Sequence, residues 1–340
     1  MRHQFLTSRT MLSAVIAVVS LAPVLLAGQT PTAAKKTAKT WTPSRTPDGQ
    51  PDLQGIWTNA TITPFERPKA LEGKAFLTEQ EAAALERQTA DRREQNDRAP
   101  TPGEVGSYNE FWFDAGTKVV ASRRTSLVID PPDGRVPVKP AAEAARDHNL
   151  KNEDSYELMS PWDRCITRGP GRMFPAGYNN AYQILQTPGY VVIAHEMIHE
   201  ARIIPVDGRP HIDKSIRMWT GDPRGRWEGN TLVVETTNFN DKGWIATNAA
   251  SARIRGVPHS DALRLVERFT RVDADTITYE VTIEDPNVYT RPWTVAIPLV
   301  RDESYQIFEY ACHEGNSAIE HVLSAARAEE KRAAEGAKKK

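Results

Sequence analysis

His195-Glu196-Met197-Ile198-His199 has the HExxH spacing. On a helix, one turn would set both imidazoles on one face. The glutamate between them would serve as general base for a zinc-bound water. The flanking residues favour another geometry. The segment GYVVIAHEMIHEARIIPVDG (189–208) is opened by Pro188-Gly189 and closed by Pro205 and Asp207-Gly208, and it is rich in valine and isoleucine. A strand is the expectation, and on a strand residues four apart lie ~13 Å apart, too far to share one ion. The zinc alternative through His195 and His199 is therefore the minor one, and no metal and no cofactor are expected.

The strand reading puts Val191, Ile193, His195, Met197, His199, Ala201 and Ile203 on one face, with Glu196, Glu200 and Arg202 on a wet one. Two imidazoles then interrupt an apolar row. Other runs show the same break. Leu263, Leu265, Glu267 and Phe269 share a face. Ile277, Tyr279, Val281 and Ile283 end in Asp285. Leu232, Val234 and Thr236 end in Asn238. Tyr305, Ile307, Glu309, Ala311 and His313 carry two polar groups. Burying any of these unpaired costs ~1–3 kcal/mol. They either satisfy one another in a structural network or converge on a ligand. In the second case Glu267, His313 and His199 are the acid–base candidates. His195, Met197, Asn238, His259, Asp285 and Glu309 would line the pocket. His211 and His259 sit in loops (GRPHID and GVPHSD), where a histidine beside a barrel mouth is a candidate ligand or acid–base group.

The elements that must position these residues are mostly strands. TLVVETTNF (231–239), LRLVERFTRV (263–272), TITYEVTIED (276–285), WTVAIPLV (293–300) and YQIFEYACHE (305–314) are β-branched and aromatic runs separated by turn residues. Further strands are expected at 53–59 and 125–130. Residues 76–98 form the clearest helix, with Thr78 as cap and Glu81 three residues later. Residues 139–149 suit a second, and 99–107 a loop. No GxGxxG, GxxxxGK[ST] or GxSxG occurs, and there is no βαβ alternation. The expected fold is mainly β: an antiparallel barrel or strongly curved, calycin-like sheet, with an N-terminal wrapping segment holding one or two helices.

Arg2 and Arg9 precede an apolar run from Met11 to Ala27, followed by small residues. This is the pattern of a removed export leader, with a retained membrane anchor as the alternative. The expected organisation is a signal peptide at 1–27, a flexible linker at 28–48, a mixed segment at 49–160, a β domain at 161–324 and a charged tail or frayed helix at 325–340. A periplasmic or secreted location makes the two cysteines, Cys165 and Cys312, candidates for a disulfide, against two separate buried thiols. Of 340 residues, 43 are Lys or Arg and 44 are Asp or Glu, for a net charge of -1. Removing residues 1–27 takes two arginines and no acids, so 41 basic residues face 44 acidic ones and the balance becomes -3. Neither value suits a nucleic-acid partner. A mean hydropathy of -0.53 excludes a multi-span membrane protein. After leader removal no stable membrane insertion is expected, and the oligomeric state is open.

Gly55-Ile56-Trp57 resembles the Gly-x-Trp opening of lipocalins and related calycin barrels, and implies a tryptophan plugging the closed barrel end. Gly225-Arg226-Trp227 repeats the pattern. AYQILQTPGYVVIAHEMIHEARIIPVDGRPH, GRWEGNTLVVETTNFNDKGW, ALRLVERFTR, TIEDPNVYTRPWTV and YACHEGN resemble a family of exported β-rich proteins of soil bacteria, over most of residues 50–325. That resemblance implies export and one integrated domain, and carries no active site across. The leading functional expectation is an exported barrel that binds a hydrophobic or aromatic small molecule through His195, His199, Glu267 and His313. The alternative is an acid–base enzyme using the same pocket (a hydrolase, lyase or isomerase), followed by a zinc hydrolase.

Overall fold

A computed structural model describes residues 41–96 and 113–338. The expected leader, most of the 28–48 linker and the 99–107 loop lie outside the described residues. Ten strands follow in chain order: β1 (Gly55–Thr58), β2 (Val128–Asp130), β3 (Ala181–Thr187), β4 (Tyr190–His195), β5 (Ala201–Pro205), β6 (Asp222–Glu228), β7 (Thr231–Thr237), β8 (Arg264–Arg271), β9 (Thr276–Glu284) and β10 (Trp293–Arg301). Three α-helices accompany them: α1 (Glu79–Asn96), α2 (Pro140–Lys151) and α3 (Ala318–Ala337).

All pairings are antiparallel, in the order β5-β4-β3-β1-β10-β9-β8-β7-β6, with β2 added alongside β10. The sheet curls until its two outer strands meet, forming a nearly closed barrel. Gly225 of β6 marks that seam. A Cβ there would fall 2.7 Å from Val206 Cγ1 and 2.9 Å from Ile204 Cγ2, so only glycine lets the edges approach.

Alternation sets the interior. Along β8 and β9 every second residue is buried, and Leu265, Glu267, Phe269, Ile277, Tyr279, Val281 and Ile283 all point inward. The 41–139 region wraps the barrel. Leu127 and Val128 donate their backbone N–H groups to Pro64 and Phe65, and Val128 pairs with Val295. Trp57 is fully buried. Its Nε1 donates to the Leu53 carbonyl at 3.0 Å, and the Arg301 and Arg271 guanidiniums lie 4.6 and 5.8 Å from its ring. Residues 41–48, expected as linker, already touch the barrel, since Arg271 also lies over Trp41 at 5.6 Å.

The reciprocal cap on α1 forms as its residues require. The Thr78 N–H donates to Glu81 Oε2 at 2.8 Å, and the Glu81 N–H donates to Thr78 Oγ1 at 3.2 Å. Two expectations need correction. Residues 305–314 form no strand, because both edges of β10 are taken by β1 and β9, and β5 and β6 close on each other. The run 189–208 is not one strand. It is a hairpin, β4 and β5, with Ala194 opposite Ala201 and a turn between. Of the two readings of the C-terminal segment the structure has the helix, α3, which starts ahead of residue 325, as its alanine, glutamate and arginine content favours. Among the described residues no helix is long and apolar enough to cross a membrane.

Candidate functional site

Some interior polar groups bond one another across the barrel, while others, both His195 ring nitrogens among them, are buried with no hydrogen-bond partner among the described residues. Arg202 of β5 reaches β8, where its Nη1 donates to Glu267 Oε1 at 2.7 Å and its Nη2 donates to Glu267 Oε2 at 2.5 Å. Arg202 Nη2 also donates to Thr236 Oγ1 at 3.2 Å, and the Tyr279 hydroxyl donates to Glu267 Oε1 at 3.0 Å. A buried loop, residues 167–176, adds Arg168 and Arg172 to this region. Arg172 Nη1 donates to Glu200 Oε1 at 3.2 Å. Burial pushes Arg172 down, while Glu267 holds Arg202 above its ordinary value against the cost of desolvation. Glu267 is thus the partner of a buried arginine.

The HExxH residues form the β4–β5 turn. Met197–His199 is one 3-10 turn, and Ile198 and His199 have φ of 62° and 41°. A β-branched residue at positive φ is a strained conformation held by its surroundings. His195 and His199 therefore do not share a helix face. His195 points inward and is 3% exposed, with its ring edge-on to Tyr182 at 5.1 Å. His199 is exposed, and its Nδ1 lies 2.7 Å from the Tyr310 carbonyl oxygen. The face assignment shifts phase at this turn. Arg202 and Glu196, expected on the wet side, are buried, while Ala201 and Ile203 are exposed. Glu196 Oε1 accepts hydrogen bonds from the Tyr305 hydroxyl at 2.8 Å and from Asn179, and burial raises its carboxyl. Among the described residues no group of three or more His, Cys, Asp or Glu side chains comes together as a metal site needs.

The state of His195 has a consequence for stability. Burial, then Arg172, Arg202 and Arg168, hold its imidazole well below the usual 6.5. Burial also lowers His259. An unfolded chain binds protons near 6.5 that these rings refuse when folded. Stability is therefore complete above that pH and falls as the pH drops below it, by up to about 1.4 kcal/mol per unit for His195. Urea unfolding at pH 7 and pH 5 checks this. His195→Leu should flatten the slope by one proton, and an unchanged slope would place the ring in solvent.

The other expected site residues disperse. His259 is buried against Phe239, and its Nδ1 lies 3.3 Å from the Ser260 carbonyl. Asp285 accepts from the Ser260 N–H at 2.7 Å and the Ser260 Oγ at 2.8 Å, which clamps that loop. Asn238 (φ 59°) donates from Nδ2 to the Asp213 and Ile216 carbonyls at 2.9 and 3.1 Å, anchoring the loop before β6. Glu309 and His313 are exposed in the irregular segment after β10, so neither reaches Glu267. Met197 is buried beneath Trp162, Tyr178 and Tyr310.

That last contact leads to the aromatic cleft. A Cys165–Cys312 disulfide, with Cα atoms 5.7 Å apart, ties the segment after β10 to the 160–166 turn. Beside it opens a cleft of about 600 Å³. The Tyr178 and Tyr310 rings are near-parallel, 6.5 Å apart and 12° from coplanar, and Trp162 lies 6.1 Å from Tyr178. Met159 and Ile319 add apolar wall, and the Arg255–Glu153 pair, 3.0 Å, adds a polar one. Cys165 and Asn179, both at positive φ, flank the same region. Trp162, Tyr178, Tyr310 and Arg255 were absent from the sequence expectation. The cysteine pairing was the signal that could have found them, because it places Trp162 and Tyr310 three and two residues from its two ends. No protein family, curated protein or solved structure matches the chain.

Proposed function

We propose that the protein is exported and binds a small aromatic molecule in the cleft beside the disulfide, rather than inside the barrel. What supports this reading most is the pair of near-parallel tyrosine rings beside Trp162, in a cleft of ligand size. Ligand pockets of about 300–1,000 Å³ are usually apolar, with a few polar groups that fix orientation. Aromatic walls supply that apolar area at low entropic cost, and Arg255 with Glu153 supplies a hydrogen-bonding pole for a phenol or similar group. The disulfide holds the wall that carries Tyr310. The barrel acts as the scaffold, with its interior occupied by the Arg202–Glu267 bridge.

The test uses 2-naphthol as a fluorescent probe on the full chain. Saturable one-to-one binding is expected. Tyr310→Ala should weaken it by about tenfold, the equivalent of a lost aromatic contact of ~1.4 kcal/mol. Trp162→Phe should preserve most of the affinity. Binding that is indifferent to Tyr310→Ala and Trp162→Ala together would reject the cleft.

A further inference from the structure

A second cleft of about 600 Å³ opens at one barrel end, where β7 finishes and β6 and β8 begin. Its wall carries His211, and at the start of β6 stands Asp222. His211 Nδ1 lies 2.8 Å from Asp222 Oδ2. The carboxylate is buried and held by two further donors. The Ile212 N–H reaches Oδ2 at 3.1 Å, and Arg224 Nη1 reaches Oδ1 at 2.6 Å. Such a carboxylate fixes the ring and its tautomer, with the proton on Nδ1. The Nε2 lone pair is left without a hydrogen bond to any described residue. His211 itself is partly exposed and lines the cleft.

The rest of the lining is charged and mostly paired. Arg264 bonds Glu235 and Glu284, each at 2.9 Å, and Arg217 pairs with Asp261 at 3.2 Å. Lys214, an exposed residue on the loop that Asn238 anchors, makes no ion pair among the described residues. The cleft therefore holds one oriented proton acceptor and one uncompensated cation. Among the described residues the only lining hydroxyl, on Thr237, is committed to Asn238 Oδ1 at 2.9 Å. With no free side-chain nucleophile, water is the nucleophile this set can activate.

We propose that this cleft hydrolyses small carboxylic esters that carry an anionic group. Lys214 holds the anion. His211 Nε2 takes a proton from a water molecule as the water oxygen forms a bond to the ester carbonyl carbon. The carbon–oxygen bond to the alcohol portion then breaks, and the proton on Nε2 passes to the departing alkoxide. One ester and one water become one carboxylic acid and one alcohol. Asp222 is a positioning residue.

The experiment measures hydrolysis of the 4-nitrophenyl monoester of succinate, against 4-nitrophenyl butyrate as the uncharged control, by the full chain. Turnover of the succinate ester should exceed that of the control. His211→Gln should lower kcat/KM by about 100-fold, the low end of what a positioned acid–base group contributes. Asp222→Asn should lower kcat with KM unchanged, and Asp222→Glu should restore part of it. Lys214→Ala should erase the preference for the anionic ester. Unchanged thermal unfolding of each variant shows that the fold persists. A rate no faster than buffer, or one that His211→Gln leaves intact, overturns the proposal. Ester hydrolysis reads this cleft and 2-naphthol titration reads the aromatic one, and the two share no described lining residue, so failure here and failure of the aromatic cleft are separable.

Discussion

Glu267→Leu is expected to destabilise the protein by about 3–5 kcal/mol, because it leaves Arg202 as an unpaired charge in the barrel interior. Both side chains are almost fully buried, and the guanidinium and carboxylate meet through two parallel hydrogen bonds. The Tyr279 hydroxyl would lose its acceptor as well. The pair itself is a different matter. Desolvating two ions offsets most of their attraction, so replacing both with apolar groups is often neutral. Arg202→Met combined with Glu267→Leu should therefore recover most of the loss. Urea unfolding of both single variants and the double variant forms the cycle that checks this. A single-variant cost below about 1 kcal/mol is what an exposed pair shows, and would contradict the buried bridge.

Removing the disulfide should have the next largest effect. Cys165 and Cys312 are 147 residues apart, and closing a loop of that length restrains the unfolded chain by about 5 kcal/mol in the entropic account. Cys165→Ala with Cys312→Ala should lower the unfolding free energy by an amount of that order. Binding of 2-naphthol should fall with it, because Tyr310 lies two residues from Cys312 on a segment with no strand pairing of its own. Unfolding and probe titration of the same variant measure both effects. Full binding in the double alanine variant would mean that barrel packing alone holds the Tyr310 wall.

The legible parts of the fold were those governed by near neighbours. Thr78 and Glu81 are three residues apart, and their cap depends on that spacing alone. The inward rows of β7, β8 and β9 follow from a two-residue period, so Glu267, Thr236 and Tyr279 were correctly placed on the buried face. The β4–β5 turn was illegible for a physical reason. His195 to Glu200 contains no glycine, proline or asparagine, and Ile198 adopts positive φ only because surrounding packing imposes it. Missing that turn reversed the phase of every residue after it, and put Arg202 in water when it spans the barrel. Residues 305–314 misled in the opposite sense. They carry strand-forming side chains, but no sheet edge was left to receive them.

For the candidate sites, the sequence by itself determined the chemistry at hand: which histidines and carboxylates interrupt apolar rows, that His211 lies in a loop, and that two cysteines could pair. Only the tertiary structure decided who meets whom. Arg202 of β5 answers Glu267 of β8, three strands later in the chain. Asp222 orients His211 across eleven residues, and the disulfide brings Tyr310 to Tyr178. Local periodicity tells which face a side chain takes, because it depends on the backbone within a few residues. Its partner depends on how a curved sheet closes, and that is a property of all ten strands together.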